Sequence, residues 1–575
     1  MQSAHEIEGT LETIGERDHT ETAEYRIFGP PGTGKTTNLS RQIPRAVERF
    51  GPDSVLVTSF TRAAAAELAG RDLPISAHRI GTLHSHCWRA LDGPAIAETQ
   101  VEEWNRTNPN LRITPLKKQQ SLDGESGADD SSERASEGDR WLQELNRCRG
   151  MMLPEAAWPA AVRSFARRWT LYKQSLGLLD FCDLIETALK EIPFAPGQPS
   201  VIFADEAQDL NRMQLSLVRK WGERARYFIL AADDDQTIYS WTGATPDAVL
   251  DPEIPEDHKI ILKQSYRVPK SVHAMAQKLI HQVSRRQPKD YRPRPADGEC
   301  HQLSTGSYKT PEYGILKAVL GHLDKGHTVM LLATCAYMLE PLIAVLRKNG
   351  VPFHNPFRRA NGFWNPIRKG RSGSAVNRVL ALLAAHPAVG GAAHPWTFGD
   401  FALWTEWLAA KGILKTGAKT KIAAATPDAA VSIAVLDELF EPRALESLLD
   451  AFEGDHRRLL TWWQQRLTAS MQARAKFPLM IAHERGPAAL EETPTVVVGT
   501  IHSVKGGEAD AVFLFPDLSQ AGDAAYPRVG PARDCGDSLV LRRRDPGAPS
   551  ALPVPARIGD GLPLVSPEDW NDARE

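Results

Sequence analysis

Gly29-Pro-Pro-Gly-Thr-Gly34-Lys35-Thr36 carries glycine, lysine and threonine at every position that a phosphate-binding turn requires. Glycines let backbone N–H groups close around a phosphate chain. The Lys35 ammonium then reaches the β- and γ-phosphates, and the Thr36 hydroxyl is placed to bind Mg2+. Gly29, Pro30, Pro31, Gly32, Thr33, Gly34 and Thr37 complete the candidate phosphate contacts. Much later, Val201-Ile-Phe-Ala runs into Asp205-Glu206-Ala-Gln-Asp209. Asp205 is a candidate Mg2+ ligand, and Glu206 a candidate group to orient and activate an attacking water. An Asp-Glu pair after a strand is more often a solvated strand end. The phosphate loop upstream reverses that reading, and the two stretches together call for phosphoryl chemistry on a nucleotide.

These residues need elements to carry them. Tyr25–Phe28 reads as a short strand entering the loop, and a helix follows with Leu39, Ile43, Val47 and Phe50 on one face, kinked at Pro44. Apolar runs at Val55–Val57, Val201–Ala204, Phe228–Ala231, Ile260–Leu262, Val329–Ala333, Val496–Val498 and Val512–Phe515 read as buried parallel strands. Helical patterns separate many of them, so the fold class is α/β with parallel sheets. Residues 1–21 read as a loose leader, and the polar, acidic stretch 119–139 as disordered. Residues 366–489 are Ala-rich, hold Trp396, Trp404, Trp407, Trp462 and Trp463, and read as a mainly helical insertion. The tail 534–575 is rich in Pro, Gly and Arg and shows no periodicity.

A length of 575 residues allows several domains, and 42% hydrophobic residues can fill their cores. The net charge of −3 neither demands nor excludes nucleic acid, because a local basic groove is sufficient. Six scattered cysteines form no Cys-x-x-Cys pair, which argues against zinc or iron–sulfur and fits a reduced cytoplasmic setting. No apolar run reaches membrane-spanning length.

Asp205-Glu-Ala-Gln-Asp209 resembles motif II of UvrD/Rep-like superfamily 1 DNA helicases, and further motifs follow in that family's order. Ser59-Phe60-Thr61 through Glu67-Leu resembles motif Ia, and Gly81-Thr82-Leu-His84-Ser the next DNA-contacting motif. Leu179-Asp180-Phe181-Cys-Asp183-Leu resembles the family's Leu-Asp-Phe-x-Asp-Leu segment. Asp233 through Ala244 resembles motif III, Leu262 through Arg267 motif IV, and Gly499 through Glu508 motif V. The resemblance implies two RecA-like motor domains sharing one ATP with Mg2+, each with a helical insertion. The first would comprise 22–90 and 180–265 around an insertion at 91–179, the second 266–365 and 490–533 around the insertion at 366–489.

The resemblance also implies roles. Gln236 would sense the γ-phosphate, Arg267 would contact it from the second domain, Tyr266 would stack on adenine, and Glu508 would bond the ribose or a neighbouring loop. Phe60, Tyr239 and Trp241 would hold the bases of single-stranded or partly duplex DNA, with Thr82, His84, Thr500 and His502 contacting the strand. Aromatic platforms suit that task because every base has a π-face. The bland alternatives are core aromatics for Tyr239 and Trp241, a surface ion-pair partner for Arg267, and core or loop histidines for His84 and His502. Movement would be 3′ to 5′, and repair, replication and recombination all use such motors.

Three departures stand out. No Leu-Asn-x-x-Gln element precedes the phosphate loop, Thr242 occupies the position of motif III's arginine, and no aromatic-Val-x-x-Thr-Arg-Ala string of motif VI lies between Glu508 and Glu575. A one-base shift in a permitted back-translation of 537–558 restores that string, so a truncated or frameshifted end is one explanation and natural loss the other. Arginine fingers contribute about 10³ to 10⁵ in rate. The readings left open are an ATP-dependent DNA helicase or translocase, an ATP- and DNA-binding protein with crippled hydrolysis, and an ATPase acting on protein or RNA.

Overall fold

The computed structural model describes residues 23–517 apart from 61, 117–135, 282, 284, 304–306, 359–360, 368–372, 388–393 and 410, together with 552–553. The leader, most of the acidic stretch and the body of the tail, with its frameshift reading, lie outside the described residues. The acidic stretch ends in order, because Ser136 caps the helix Glu137–Gly150 through a reciprocal box with Asp139.

The chain falls into two compact units divided after Cys300. The first holds a parallel sheet of strands β1 (Ala23–Phe28), β2 (Val55–Ser59), β3 (Ile80–Thr82), β4 (Val201–Asp205), β5 (Tyr227–Ala232) and β6 (Lys259–Ile261) in the order β3-β2-β4-β5-β1-β6. Ala23 pairs with Tyr227 and Val201 with both Val55 and Tyr227. Apolar runs form β2, β4 and β5 because both faces are covered, while the flanking β3 and β6 are largely half-buried. Val201 and Phe203 enter one core with Val55, Val57 and Ile229, while Ile202 and Ala204 enter the other with Leu56, Phe228 and Leu230. That alternation is the period of two of a strand buried on both sides.

Helix α1 (Lys35–Phe50) follows the phosphate loop and runs through Pro44 without ending. It buries Leu39 and Ile43 against the sheet, as its apolar spacing requires. Between β3 and β4 the chain builds a separate small core in which Trp104 meets Phe165 and Trp169 edge-on at 5.6 and 5.1 Å. Residues 266–300 belong to the first unit, although the sequence reading begins the second motor domain at 266.

The second unit has a parallel sheet of β7 (Val329–Ala333), β8 (Phe353–His354), β9 (Val496–Thr500) and β10 (Ala511–Phe515), in the order β10-β7-β9-β8. Val329 pairs with both Val496 and Ala511. Of the five tryptophans named above, Trp404, Trp462 and Trp463 lie on helices, while Trp396 precedes the helix Phe398–Thr405 and Trp407 follows it; all five share one continuous core with Val329, Leu331 and Phe353. Their indoles are buried because three of the N–H groups find acceptors: Trp396 on Leu382 O at 2.9 Å, Trp462 on Ser447 Oγ at 2.9 Å, and Trp463 on Trp404 O at 3.0 Å. No helix among the described residues is long and apolar enough to cross a membrane.

Candidate active site

Three segments emerge at the carboxyl ends of adjacent strands in the first sheet: Gly29–Thr36 after β1, Asp205–Gln208 at the end of β4, and Asp233–Gln236 after β5. In open parallel sheets this edge is where ligands bind. The loop turns through Gly32 at φ 71° and Gly34 at φ 80°, a backbone region that glycine enters without steric cost. A Cβ on Gly32 would lie 2.5 Å from Arg267 Cβ and 2.8 Å from Ser265 Oγ, so the position also needs the missing side chain. Thr33 Oγ1 donates to Pro30 O at 2.7 Å, and Lys35 Nζ donates to Gly29 O at 2.5 Å.

The Thr36 hydroxyl lies 3.2 Å from Asp205 Oδ2. Asp205 is buried, and burial together with the adjacent Glu206 carboxylate pushes its carboxyl up to about 7. Glu206 N donates to Asp205 Oδ1 at 3.0 Å. Glu206 itself adopts φ 54°, the left-handed region, which a side chain disfavours. Oxygen donors from a hydroxyl and a buried, electrostatically crowded carboxylate suit Mg2+, so Thr36 and Asp205 fit that ion.

A hydrogen-bond chain links this pair to Gln236. Gln208 Nε2 donates to Glu206 Oε2 at 2.5 Å, and Gln208 Oε1 accepts from Asp233 N at 3.0 Å. Gln236 Nε2 donates to Asp233 Oδ2 at 2.5 Å. Both amide orientations follow from their partners, since a carboxylate accepts and a backbone N–H donates.

The segment after β6 is strapped onto the loop. Tyr266 N donates to Gly32 O at 2.8 Å, Ser265 Oγ to Pro31 O at 3.0 Å, and Tyr291 OH to Pro31 O at 2.9 Å. Tyr266 and Arg267 therefore sit beside the phosphate loop in the first unit. Arg267, expected to approach from the second domain, is counted with the first unit, and its neighbours anchor the segment to Pro31 and Gly32. The Tyr266 ring is 62% exposed and so presents a face to solvent.

The aromatic residues of motifs Ia and III come together. Tyr239 lies 5.1 Å from both the Phe60 and the Trp241 rings, centroid to centroid. Phe60 and Tyr239 are buried and Trp241 half-buried. Thr82 caps the helix Leu83–Ala90 by accepting from Ser85 N at 3.2 Å. His84 is buried edge-on against Phe181, and desolvation pulls its imidazole down to about 4, keeping it neutral. Thr242 stays within its own turn, donating to Tyr239 O at 2.7 Å.

Thr500, His502 and Glu508 lie in the second unit. Thr500 and His502 are buried, and Thr500 Oγ1 accepts from Ser503 N at 3.3 Å; Glu508 is exposed. Sequence reasoning gave no role to Gln208, Ser265, Lys289 or Tyr291. Gln208 and Ser265 sat inside quoted motifs, but Lys289 and Tyr291 carry no periodic or spacing signal.

Residues 16–254 match the family model described as the UvrD/REP helicase N-terminal domain. An ATP-dependent DNA helicase PcrA from Staphylococcus aureus (strain Mu50 / ATCC 700699) is 25% identical over 328 residues, covering 52% of this chain and 44% of that protein. A PcrA from Staphylococcus epidermidis (strain ATCC 12228 / FDA PCI 1200) is 26% identical over 294 residues, covering 46% and 38%. The match thus spans less than half the length of these curated relatives.

Proposed function

Because the chain belongs to the UvrD/Rep-like superfamily 1 helicases, to which residues 16–254 tie it, we propose that it is an ATP-driven motor on single-stranded DNA. It hydrolyses ATP to ADP and phosphate, moves 3′ to 5′ and separates strands. The observation that carries this reading is the Thr36 hydroxyl 3.2 Å from Asp205 at the mouth of a phosphate loop. Bound there, Mg2+ supplies charge neutralisation for the β- and γ-phosphate oxygens. Gly29–Thr37 cradle the phosphates, the residues from Gly32 onward with backbone N–H groups, and Lys35 adds a cation.

Glu206, aimed by Gln208, orients the attacking water and takes its proton. Gln236 reads the γ-phosphate, Arg267 adds positive charge beside the loop, and Tyr266 offers its exposed ring to adenine. Glu508 serves the ribose or a neighbouring loop. Trp241, backed by Tyr239 and Phe60, carries DNA bases, with Thr82, His84, Thr500 and His502 along the strand. ATP turnover with and without single-stranded DNA tests the reading. We expect Lys35→Ala to lose nucleotide affinity, and Glu206→Ala to keep affinity while losing turnover. Equal turnover in the unaltered chain and the Lys35→Ala variant would sink it.

A second reading rests on one observation: no motif VI string follows Glu508. With that arginine missing, the chain binds ATP and DNA but hydrolyses slowly. Intact affinities with no DNA stimulation of turnover would favour it.

A further inference from the structure

Asp233, Asp234 and Asp235 end β5 as consecutive carboxylates, and the first two side chains are fully buried. Burial disfavours charge, and adjacent like charges add to the penalty. One side chain answers this. Lys289 is itself fully buried, and its Nζ lies 3.4 Å from Asp233 Oδ1, 2.5 Å from Asp234 Oδ1 and 2.8 Å from Asp235 Oδ2. An ammonium has three donors and no acceptor; Asp235 Oδ2 accepts one of them, and Asp233 and Asp234 face the same charge as ion pairs. Arg286 braces Asp235 from another side at 2.7 Å, and Gln287 N donates to Asp234 Oδ2 at 2.7 Å.

Asp233 connects this cluster to the site. Its Oδ2 accepts from Gln236 Nε2, and its N–H meets the Gln208 amide that holds Glu206. Two residues beyond Lys289, Tyr291 OH bonds to Pro31 O in the phosphate loop. The 286–291 segment therefore touches both the phosphate turn and the carboxylate that sets the Gln236 amide.

We propose that Lys289 is a positioning residue of the nucleotide site, fixing the Asp233 carboxylate so that the Gln236 amide faces the terminal phosphate. The proposal rests on the ATPase reading above. Lys289 touches no nucleotide; it acts through Asp233 and Gln236. Without its ammonium, the Asp233 carboxylate is no longer held in place, and Gln236 loses its fixed acceptor.

The test compares affinities for fluorescent ADP and a non-hydrolysable ATP analogue, both with Mg2+, so it does not depend on turnover. The unaltered chain, Gln236→Ala, Lys289→Met and the double variant form a cycle. We expect the unaltered chain to prefer the triphosphate. Each single change should cut that preference about 10-fold or more, and the double change no further. ADP affinity should stay within about two-fold, because the loop contacts are untouched. Should Lys289→Met fail to fold, Lys289→Met with Asp234→Asn removes one buried negative charge alongside the positive one and decides the matter in the same way. A wild-type preference in either Lys289 variant, or a loss that adds to that of Gln236→Ala, overturns the proposal. Equal affinity of the unaltered chain for both nucleotides overturns it too, while leaving nucleotide binding intact. Binding of neither nucleotide removes the ATPase reading itself.

Discussion

Trp241, Tyr239 and Phe60 form one aromatic group, yet their exposure divides the work among them. Phe60 and Tyr239 are 8% and 5% exposed, so their rings are already spent on packing, whereas Trp241 is half-buried and keeps open surface. A base can stack only on a ring face that water can reach. Trp241→Ala should therefore weaken single-strand binding by about 1–3 kcal/mol, leaving ADP affinity unchanged. Fluorescence anisotropy with an oligonucleotide checks this, and an unchanged dissociation constant would assign Trp241 to packing alone. The motif order let the sequence suggest all three as platforms. It could not rank them, because burial depends on strands that lie far apart in the chain.

The elements between β3 and β4 meet at a buried charge cluster. Asp180 caps the helix Phe181–Glu191 in a reciprocal box with Asp183. Arg149 lies 3.0 Å and Lys173 2.5 Å from its carboxylate, and Trp169 Nε1 donates to it at 3.0 Å. Glu98 faces the same cluster and accepts from Phe181 N at 3.2 Å. Burial, with the neighbouring Asp180 charge, pushes Glu98 up to about 8 from an ordinary 4.5. Between those values the folded form keeps a proton that the unfolded chain releases. Glu98 therefore withdraws stability as pH rises through that window. Thermal unfolding of Glu98→Gln should show a shallower decline from pH 5 to 8 than the parent, since an amide cannot titrate; parallel curves would show that Glu98 ionises normally.

Legibility at this scale follows local pattern. Most strands of the two sheets were readable as apolar runs, and the phosphate helix because Leu39 and Ile43 keep helical spacing; the short strands Ile80–Thr82 and Phe353–His354 offer no such run. The 286–291 strap was not, because Pro288 and its polar neighbours show no period and its value lies in partners 50 or so residues away. Trp404, Trp462 and Trp463 lie on helices of the stretch read as mainly helical, and Trp396 and Trp407 lie just outside one. Their merger with the second sheet's core is a tertiary fact that composition does not carry.

For the whole molecule, the two compact units have separate hydrophobic cores. The phosphate loop, Asp205, Glu206, Gln236, Tyr266 and Arg267 all belong to the first. Two unfolding transitions are therefore expected in calorimetry, and MgADP should raise the first unit's transition more. At 100 times its dissociation constant, a ligand adds about 2.7 kcal/mol to the state that binds it. Hydrogen exchange can assign the transitions. Equal protection of β7 and β1 on adding MgADP would contradict a phosphate site carried by the first unit.

Glu206 sits at φ 54°, in a conformation that costs a residue with a Cβ about 1–2 kcal/mol. Glycine would escape that cost while giving up about 0.5–1 kcal/mol in chain entropy. Glu206→Gly should then yield a chain slightly sturdier towards urea yet inert as a hydrolase. Durability and chemistry would be in competition at a single peptide unit, and selection for resilience alone would discard the very side chain that the proposed hydrolysis needs.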